Sequence, residues 1–289
     1  MRLVNGRPSV NVTISRRATA IVQTYPHGSA LRVRTRTYTQ RYSAETQRYS
    51  AETKRRSLRS RIRPRVGEHR EGLSPCVVFD LDGTLIESEG IWRDVRREFV
   101  ETHGGRWHDD AQSAMIGMRT DEWARYIHDD LGVALPPAAI AQQVVAAVVA
   151  RLRRPPVIPG ADAAIRRLKP AFRLGLATSA SLPVAQSVLA TTGWNRFFDV
   201  VVSADVVARG KPAPDVYLRA LELLHAKPAL TAAIEDSANG IRSARAAGTA
   251  VIAIPNKEFP PDAGALALAS RVIENLDALD PAVVCGALS

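Results

Sequence analysis

The run Cys76-Val77-Val78-Phe79 ends in Asp80-Leu81-Asp82-Gly83-Thr84, and a long interval separates it from the next comparable apolar run. A continuous apolar tetrad closed by turn residues reads as a strand buried on both faces, the kind that belongs to a parallel sheet covered by helices. Further apolar runs at 172–177, 200–202, 232–234 and 251–254 alternate with helical spacing at 161–168, 182–192, 214–225 and 238–247. That alternation predicts an α/β fold, a Rossmann-like parallel sheet with helices on both faces. A crossover between parallel strands needs only ~10–12 residues, and the first interval is about ninety. Something is therefore inserted, and 91–102, 121–131 and 137–152 within it have helical spacing. The expected organisation is a core of residues 75–90 and 156–289 and a small α-helical cap at 91–155. The cap hangs on linkers near 87–90 and 155–160.

Charge separates a third part. Residues 1–74 hold 17 Lys and Arg against 4 Glu and no Asp, a net +13, whereas the whole chain of 289 residues is only +10. The remainder is mildly acidic, so the basic balance says nothing about the partners of the folded part. The basic segment contains a tandem heptad, Gln40 to Thr46 repeated as Gln47 to Thr53, and has few large apolar side chains. It cannot bury enough surface to offset chain entropy, which predicts a disordered N-terminal tail. Four readings of it stay open: nucleic-acid contact through residues 54–65, an organelle transit peptide, a membrane-surface tether, or an incidental extension from an upstream start.

Cys76 and Cys285 have no neighbour at metal-ligand or redox spacing, and no run of ~18 apolar residues or secretory signal is present. The expectation is a reduced, cytoplasmic protein without a membrane partner.

In an open parallel sheet, ligands bind outside the carboxyl ends of the strands, where Asp80 and Asp82 fall. Residues two apart in an extended segment point the same way, so both carboxylates can face one ligand while Gly83 lets the backbone come close. A turn Asp-Gly pair is the ordinary alternative. Similar signals recur at later strand ends: Thr178-Ser179 after Leu174-Gly175-Leu176-Ala177, Lys211 in Gly210-Lys211-Pro212-Ala213-Pro214-Asp215, and Glu235-Asp236-Ser237 followed by Asn239-Gly240.

In this order the four motifs resemble those of the haloacid dehalogenase superfamily, in the subfamily with a helical cap after the first motif. The resemblance spans about residues 75–255. It implies a Mg²⁺-dependent phosphatase acting on a small phosphorylated metabolite. Asp80 would be the nucleophile, forming an aspartyl-phosphate, and Asp82 the general acid and base. Thr178, Ser179 and Lys211 would hold the phosphoryl group. Asp80, the Asp82 carbonyl, Asp236 and Glu235 would hold the metal. An attacking carboxylate and a phosphate dianion repel, so a cation and positive donors are needed for such chemistry.

Within the cap, Arg119 is the candidate for reaching a polar substrate, and Trp92, Trp107 and Trp123 could offer a stacking face. His103, His108 and His128 lack the paired spacing of a second metal site. The enzymatic alternative is a sugar-phosphate mutase of the β-phosphoglucomutase type. Those enzymes resemble one another in a His twelve residues after the nucleophile, where this chain has Trp92. Glu87-Ser88-Glu89-Gly90-Ile91-Trp92 is closer to the segment of sugar-phosphate phosphatases, Glu87 and Gly90 being departures.

Overall fold

Every strand of the sheet runs parallel to β1, Cys76–Phe79. The computed structural model describes residues 74–289, so the basic segment, with its repeat and its four readings, lies outside the described residues. The other strands are β2, Arg173–Thr178; β3, Val200–Ser203; β4, Thr231–Glu235; β5, Ala250–Ala253; and β6, Arg271–Val272. Their order is β3-β2-β1-β4-β5-β6. β1 pairs with β2 on one side and β4 on the other, in register Phe79 to Leu176 and Phe79 to Ile234. The sheet therefore reverses its winding between β1 and β4, and a crevice opens there at the strands' carboxyl ends.

The alternation along β1 explains its double burial. Val77 and Phe79 enter one apolar cluster, with Phe79 edge-on to Phe198 at 6.0 Å between ring centroids. Cys76 and Val78 enter the cluster on the other face, against Val216, Tyr217, Ile241 and Ala244.

Ten helices lie in the described residues. Five precede β2: α1, Glu89–Thr102; α2, Ala111–Met115; α3, Thr120–Asp129; α4, Pro137–Arg151; and α5, Ala161–Leu168. Then follow α6, Leu182–Thr192; α7, Asp215–Leu223; α8, Ala238–Ala246; α9, Ala263–Leu266; and α10, Pro281–Leu288. Helices α1 to α4 form the insert. Their buried stripes, Trp92, Val95 and Val100 on α1, Trp123 and Ile127 on α3, and Ile140, Val144 and Val148 on α4, join the cluster that contains Phe79 and Leu176. The insert's two connections to the sheet are tied together. Glu87 N donates to Pro156 O at 2.8 Å, Ile158 N donates to Leu85 O at 3.0 Å, and Ile86 bridges Val157.

Four elements had no sequence signal, each for a physical reason. β6 is two exposed residues, and α2 and α9 are five and four residues long, too short to show a helical period. α10 is apolar on all sides; its start is fixed instead by Asp280, whose side chain accepts from Val283 N at 2.8 Å. No helix among the described residues is long and apolar enough to cross a membrane.

Phe79 couples the sheet's central strand to the helices beside it and directly precedes Asp80. Phe79→Ala is expected to cost about 3–5 kcal/mol in urea unfolding, the usual penalty for deleting a buried aromatic ring. A cost below about 1 kcal/mol would mean that this face of the sheet is not tightly packed.

Candidate active site

Asp80 continues the ladder past β1, its N–H donating to Ile234 O at 3.0 Å. Asp236 directly follows β4, and Thr178 is the last residue of β2. Three adjacent strands thus deliver their terminal side chains to the crevice at the switch point. Lys211 arrives from the loop between β3 and α7.

The Lys211 ammonium is 2.5 Å from Asp80 Oδ1 and 2.6 Å from Glu235 Oε1. Tyr217 donates its hydroxyl to the same Glu235 oxygen at 2.6 Å, and its ring faces the ammonium at 5.1 Å. Glu235 Oε2 accepts from Asp236 N and Ser237 Oγ, at 3.2 and 3.3 Å. Fully buried, with donors on both oxygens, Glu235 anchors Lys211. Asp236 is held more loosely, by Thr84 Oγ1 at 3.2 Å and Asn256 Nδ2 at 3.3 Å.

Two glycines make room for this cluster. Gly83 has φ +84°, and a Cβ there would stand 2.1 Å from Asp236 Oδ2. A Cβ at Gly240 would stand 1.9 Å from Glu235 Oε2. Only a backbone without side chains lets the carboxylates sit where they do.

Three buried carboxylates, those of Asp80, Glu235 and Asp236, thus gather beside one ammonium, with Asp82 next to them. Burial pushes Asp80 up to about 8, reinforced by the charges of Glu235 and Asp82, although Lys211 pulls it down. Asp236 is driven well above the ordinary carboxylate range by burial and then by Glu235 and Asp80. Lys211 is held above its ordinary value by Asp80 and Glu235 in spite of its burial. The cluster is short of positive charge. Asp80, Glu235 and Asp236 each offer an oxygen within 4.8 Å of the others, an all-oxygen donor set that suits a hard divalent cation.

Asp82 leans away from this group. Its carboxylate accepts from Ser88 Oγ and from Thr178 Oγ1, the latter at 3.2 Å. Burial raises its pKa, while Ser88, Trp92 and Thr178 oppose the shift as hydrogen-bond donors. Thr178 also accepts from Ala180 N at 3.0 Å. The neighbouring Ser179 Oγ is buried and has no hydrogen-bond partner, so a polar group is wanted beside it.

A cavity of about 240 Å³ opens over these residues, lined from the core by Asp80, Asp82, Ser179, Lys211 and Asp236. The insert supplies Glu89, Trp92, Arg96, Met115 and Trp123. Arg119 is not among the lining residues. Its guanidinium donates to Ala208 O and lies 3.2 Å from Asp121, and its side-chain carbons press on Gly210, next to Lys211. Arg119 thus joins the insert to the loop that carries Lys211. Trp107 packs at the edge of the apolar cluster, outside the cavity lining.

Tyr217, Thr84, Ser88, Asn256 and Arg96 were not singled out from the sequence. Thr84 and Ser88 directly follow the first motif, and Tyr217 follows the Lys211 loop, so proximity could have found them. Arg96 was visible as a cation four residues after Trp92, among the apolar positions of α1. Asn256 has no sequence signal.

A parallel sheet with this carboxylate and lysine cluster at its switch point defines a class of α/β hydrolases, and comparison with known proteins gives the family. Residues 75–248 match the haloacid dehalogenase-like hydrolases, to which this chain belongs. It is 33% identical over 206 residues to a bifunctional riboflavin kinase/FMN phosphatase of Arabidopsis thaliana, covering 71% of this chain but only 54% of that protein. It is 31% identical over 173 residues to the fructose-1-phosphate phosphatase YqaB of Escherichia coli, covering 60% of this chain and 92% of that one. The crystal structure of CbbY from Rhodobacter sphaeroides in complex with phosphate aligns with a TM-score of 0.66 and 30% identity, covering 74% of this chain and all of that one. The class of enzyme is a phosphoric monoester hydrolase.

Two outcomes follow from the site's packing. Gly83→Ala should lose at least about 2 kcal/mol in urea unfolding, from its positive φ and the collision with Asp236. Unchanged stability would show that the loop can relax. Separately, burial raises the partly buried Glu89 from 4.5 to about 7, with Arg96 and Gln112 opposing. The folded protein thus keeps this proton to higher pH than the unfolded chain does. The stabilisation is complete below about 4.5 and is lost as pH rises through about 7. Glu89→Gln should flatten that fall by up to about 3 kcal/mol, and an unaltered pH profile of stability would contradict it.

Proposed function

We propose that this chain is a Mg²⁺-dependent phosphatase that hydrolyses a small phosphomonoester, of the sugar-phosphate kind, through a phosphorylated Asp80. The observation that carries the reading is the Asp80 carboxylate, paired with Lys211 at 2.5 Å and beside Asp236 at the base of the cavity.

Asp80 and Asp236, with the Asp82 carbonyl, would hold the metal; Glu235 adds its charge and keeps Lys211 in place. When bound, the ion supplies positive charge that offsets the crowded carboxylates and the incoming phosphate dianion. Lys211 and the hydroxyls of Thr178 and Ser179 orient the phosphoryl oxygens. An Asp80 oxygen attacks phosphorus as the bond from phosphorus to the leaving oxygen breaks, and Asp82 gives its proton to that oxygen. Thr178 must then turn from Asp82 toward the phosphoryl group. In the second step Asp82 takes a proton from water, whose oxygen attacks phosphorus. The bond to Asp80 breaks, inorganic phosphate leaves, and the carboxylate is restored. A pKa raised by burial suits Asp82 to carry a proton in one step and accept one in the next.

Helices α1 to α4 would act as the cap, closing the cavity against water, with the paired connections at Ile86 and Val157 as its pivot. The relatives' names include phosphatases of FMN and of fructose 1-phosphate.

The test is phosphate release by the full chain across a panel of phosphomonoesters, with Mg²⁺ or with EDTA, and with Asp80→Asn as control. The panel includes β-glucose 1-phosphate with a bisphosphate primer, scored for glucose 6-phosphate. The expected result is release that EDTA abolishes and Mg²⁺ restores, lowered at least about 1,000-fold in the variant. Isomerised sugar phosphate with little free phosphate would establish a mutase instead. Silence throughout would overturn the reading.

A further inference from the structure

Arg96 stands on the face of α1 that bears Glu89 and Trp92, and it lines the same cavity as Asp80 and Lys211. It is 5% exposed, and its guanidinium lies over the rings of Trp92 and Trp123, at 4.7 and 5.1 Å from their centroids. Such stacking fixes the plane of the cation and leaves its edge for hydrogen bonding.

That edge is under-used. Among the described residues the one hydrogen-bond partner of the guanidinium is Gln112 Oε1, at the long distance of 3.5 Å. The Nε atom is buried without a partner, and no carboxylate among the described residues forms an ion pair with the group. Glu89 faces it only through Gln112, whose Nε2 donates to Glu89 Oε2 at 2.8 Å. A buried guanidinium with five donors and one weak acceptor is costly unless something else accepts from it. Its planar fork matches the paired oxygens of a carboxylate or a phosphate.

We infer that Arg96 is a specificity-determining residue that binds a second anionic group on the leaving group of the substrate, a carboxylate or a second phosphate. The inference rests on the phosphatase reading for where the reacting phosphoryl group sits, at Asp80 and Lys211. The leaving group then extends from there toward α1. Trp92 and Trp123 hold the cation flat, and Gln112, itself tied to Glu89, accepts one weak hydrogen bond from it. The competing role is purely structural, a buried network that braces α1 against α2 and α3.

Two matched pairs of esters separate these roles and the two sources of anion: glycerol 3-phosphate against 3-phosphoglycerate, and fructose 1-phosphate against fructose 1,6-bisphosphate. In the full chain, kcat/KM should favour the more anionic member of at least one pair by about 10-fold or more. Arg96→Met should lower kcat/KM for that member on the order of 100-fold and change its neutral partner by less than about 3-fold. Arg96→Lys, which keeps the charge and loses the fork, should recover part of the difference. A preference for the neutral members, or equal losses on both members of a pair, would overturn the inference.

A second readout does not depend on turnover. In Asp80→Asn protein, saturable quenching of tryptophan fluorescence by the favoured anionic ester should vanish when Arg96→Met is added, because Trp92 and Trp123 flank the cation. Arg96-dependent binding without any turnover in the parent chain would sink the phosphatase reading alone. Turnover without charge preference would sink the Arg96 assignment alone, and neither binding nor turnover would sink both.

Discussion

Too many carboxylates around one ammonium is the constraint on which the rest of the structure depends. Asp80, Glu235 and Asp236 share a buried crevice with Lys211, with Asp82 half-buried beside them, and charge of one sign gathered in low dielectric is unfavourable unless it is paired and hydrogen-bonded. The fold answers locally. Lys211 bridges Asp80 and Glu235, Tyr217 shares the Glu235 oxygen, hydroxyls of Ser88 and Thr178 hold Asp82, and Gly83 and Gly240 let the backbone approach. Those measures arrange the cluster without neutralising it. The remaining deficit of positive charge is what a divalent ion would fill.

The parallel sheet is what makes so dense a cluster possible. Strands β1, β2 and β4 lie side by side, so their last residues meet at the point where the winding reverses. The polar side chains need no long excursions, because each follows a strand that is buried for hydrophobic reasons. The insert begins beside the first motif, with Ser88 both preceding α1 and donating to Asp82. Ser88 thereby links the start of α1 to the Asp82 carboxylate, and Arg119 touches the Lys211 loop from the middle of the insert.

Much of this was legible in the sequence because the signals are local. Short apolar runs at 76–79 and 232–234 marked β1 and β4, and the polar residues after them, Asp80 and Glu235-Asp236, marked the site. The parallel sheet and the site's position at its carboxyl ends then followed from the rules of α/β folds, while the order of the strands did not. What stayed hidden depends on contacts distant in the chain. Asn256 reaches Asp236 from twenty residues away, and the stacking of Arg96 on Trp123 joins two helices whose packing no periodicity reveals. Arg119 carried the right chemistry for a substrate contact, but the fold gives its guanidinium to Ala208 O and Asp121. Which cation of the insert would line the cavity was a question of tertiary packing, and Arg96 rather than Arg119 does.

The most direct measurement is to trap the covalent state of Asp80. The full chain is mixed with a turned-over ester and Mg²⁺, quenched in acid during the steady state, and reduced with borohydride, which converts an acyl phosphate on aspartate to homoserine. Peptide mass spectrometry should then find homoserine at position 80 only in substrate-treated protein, and at no other carboxylate. Steady phosphate release with position 80 still aspartate, or with homoserine at another position, would contradict a phosphorylated Asp80.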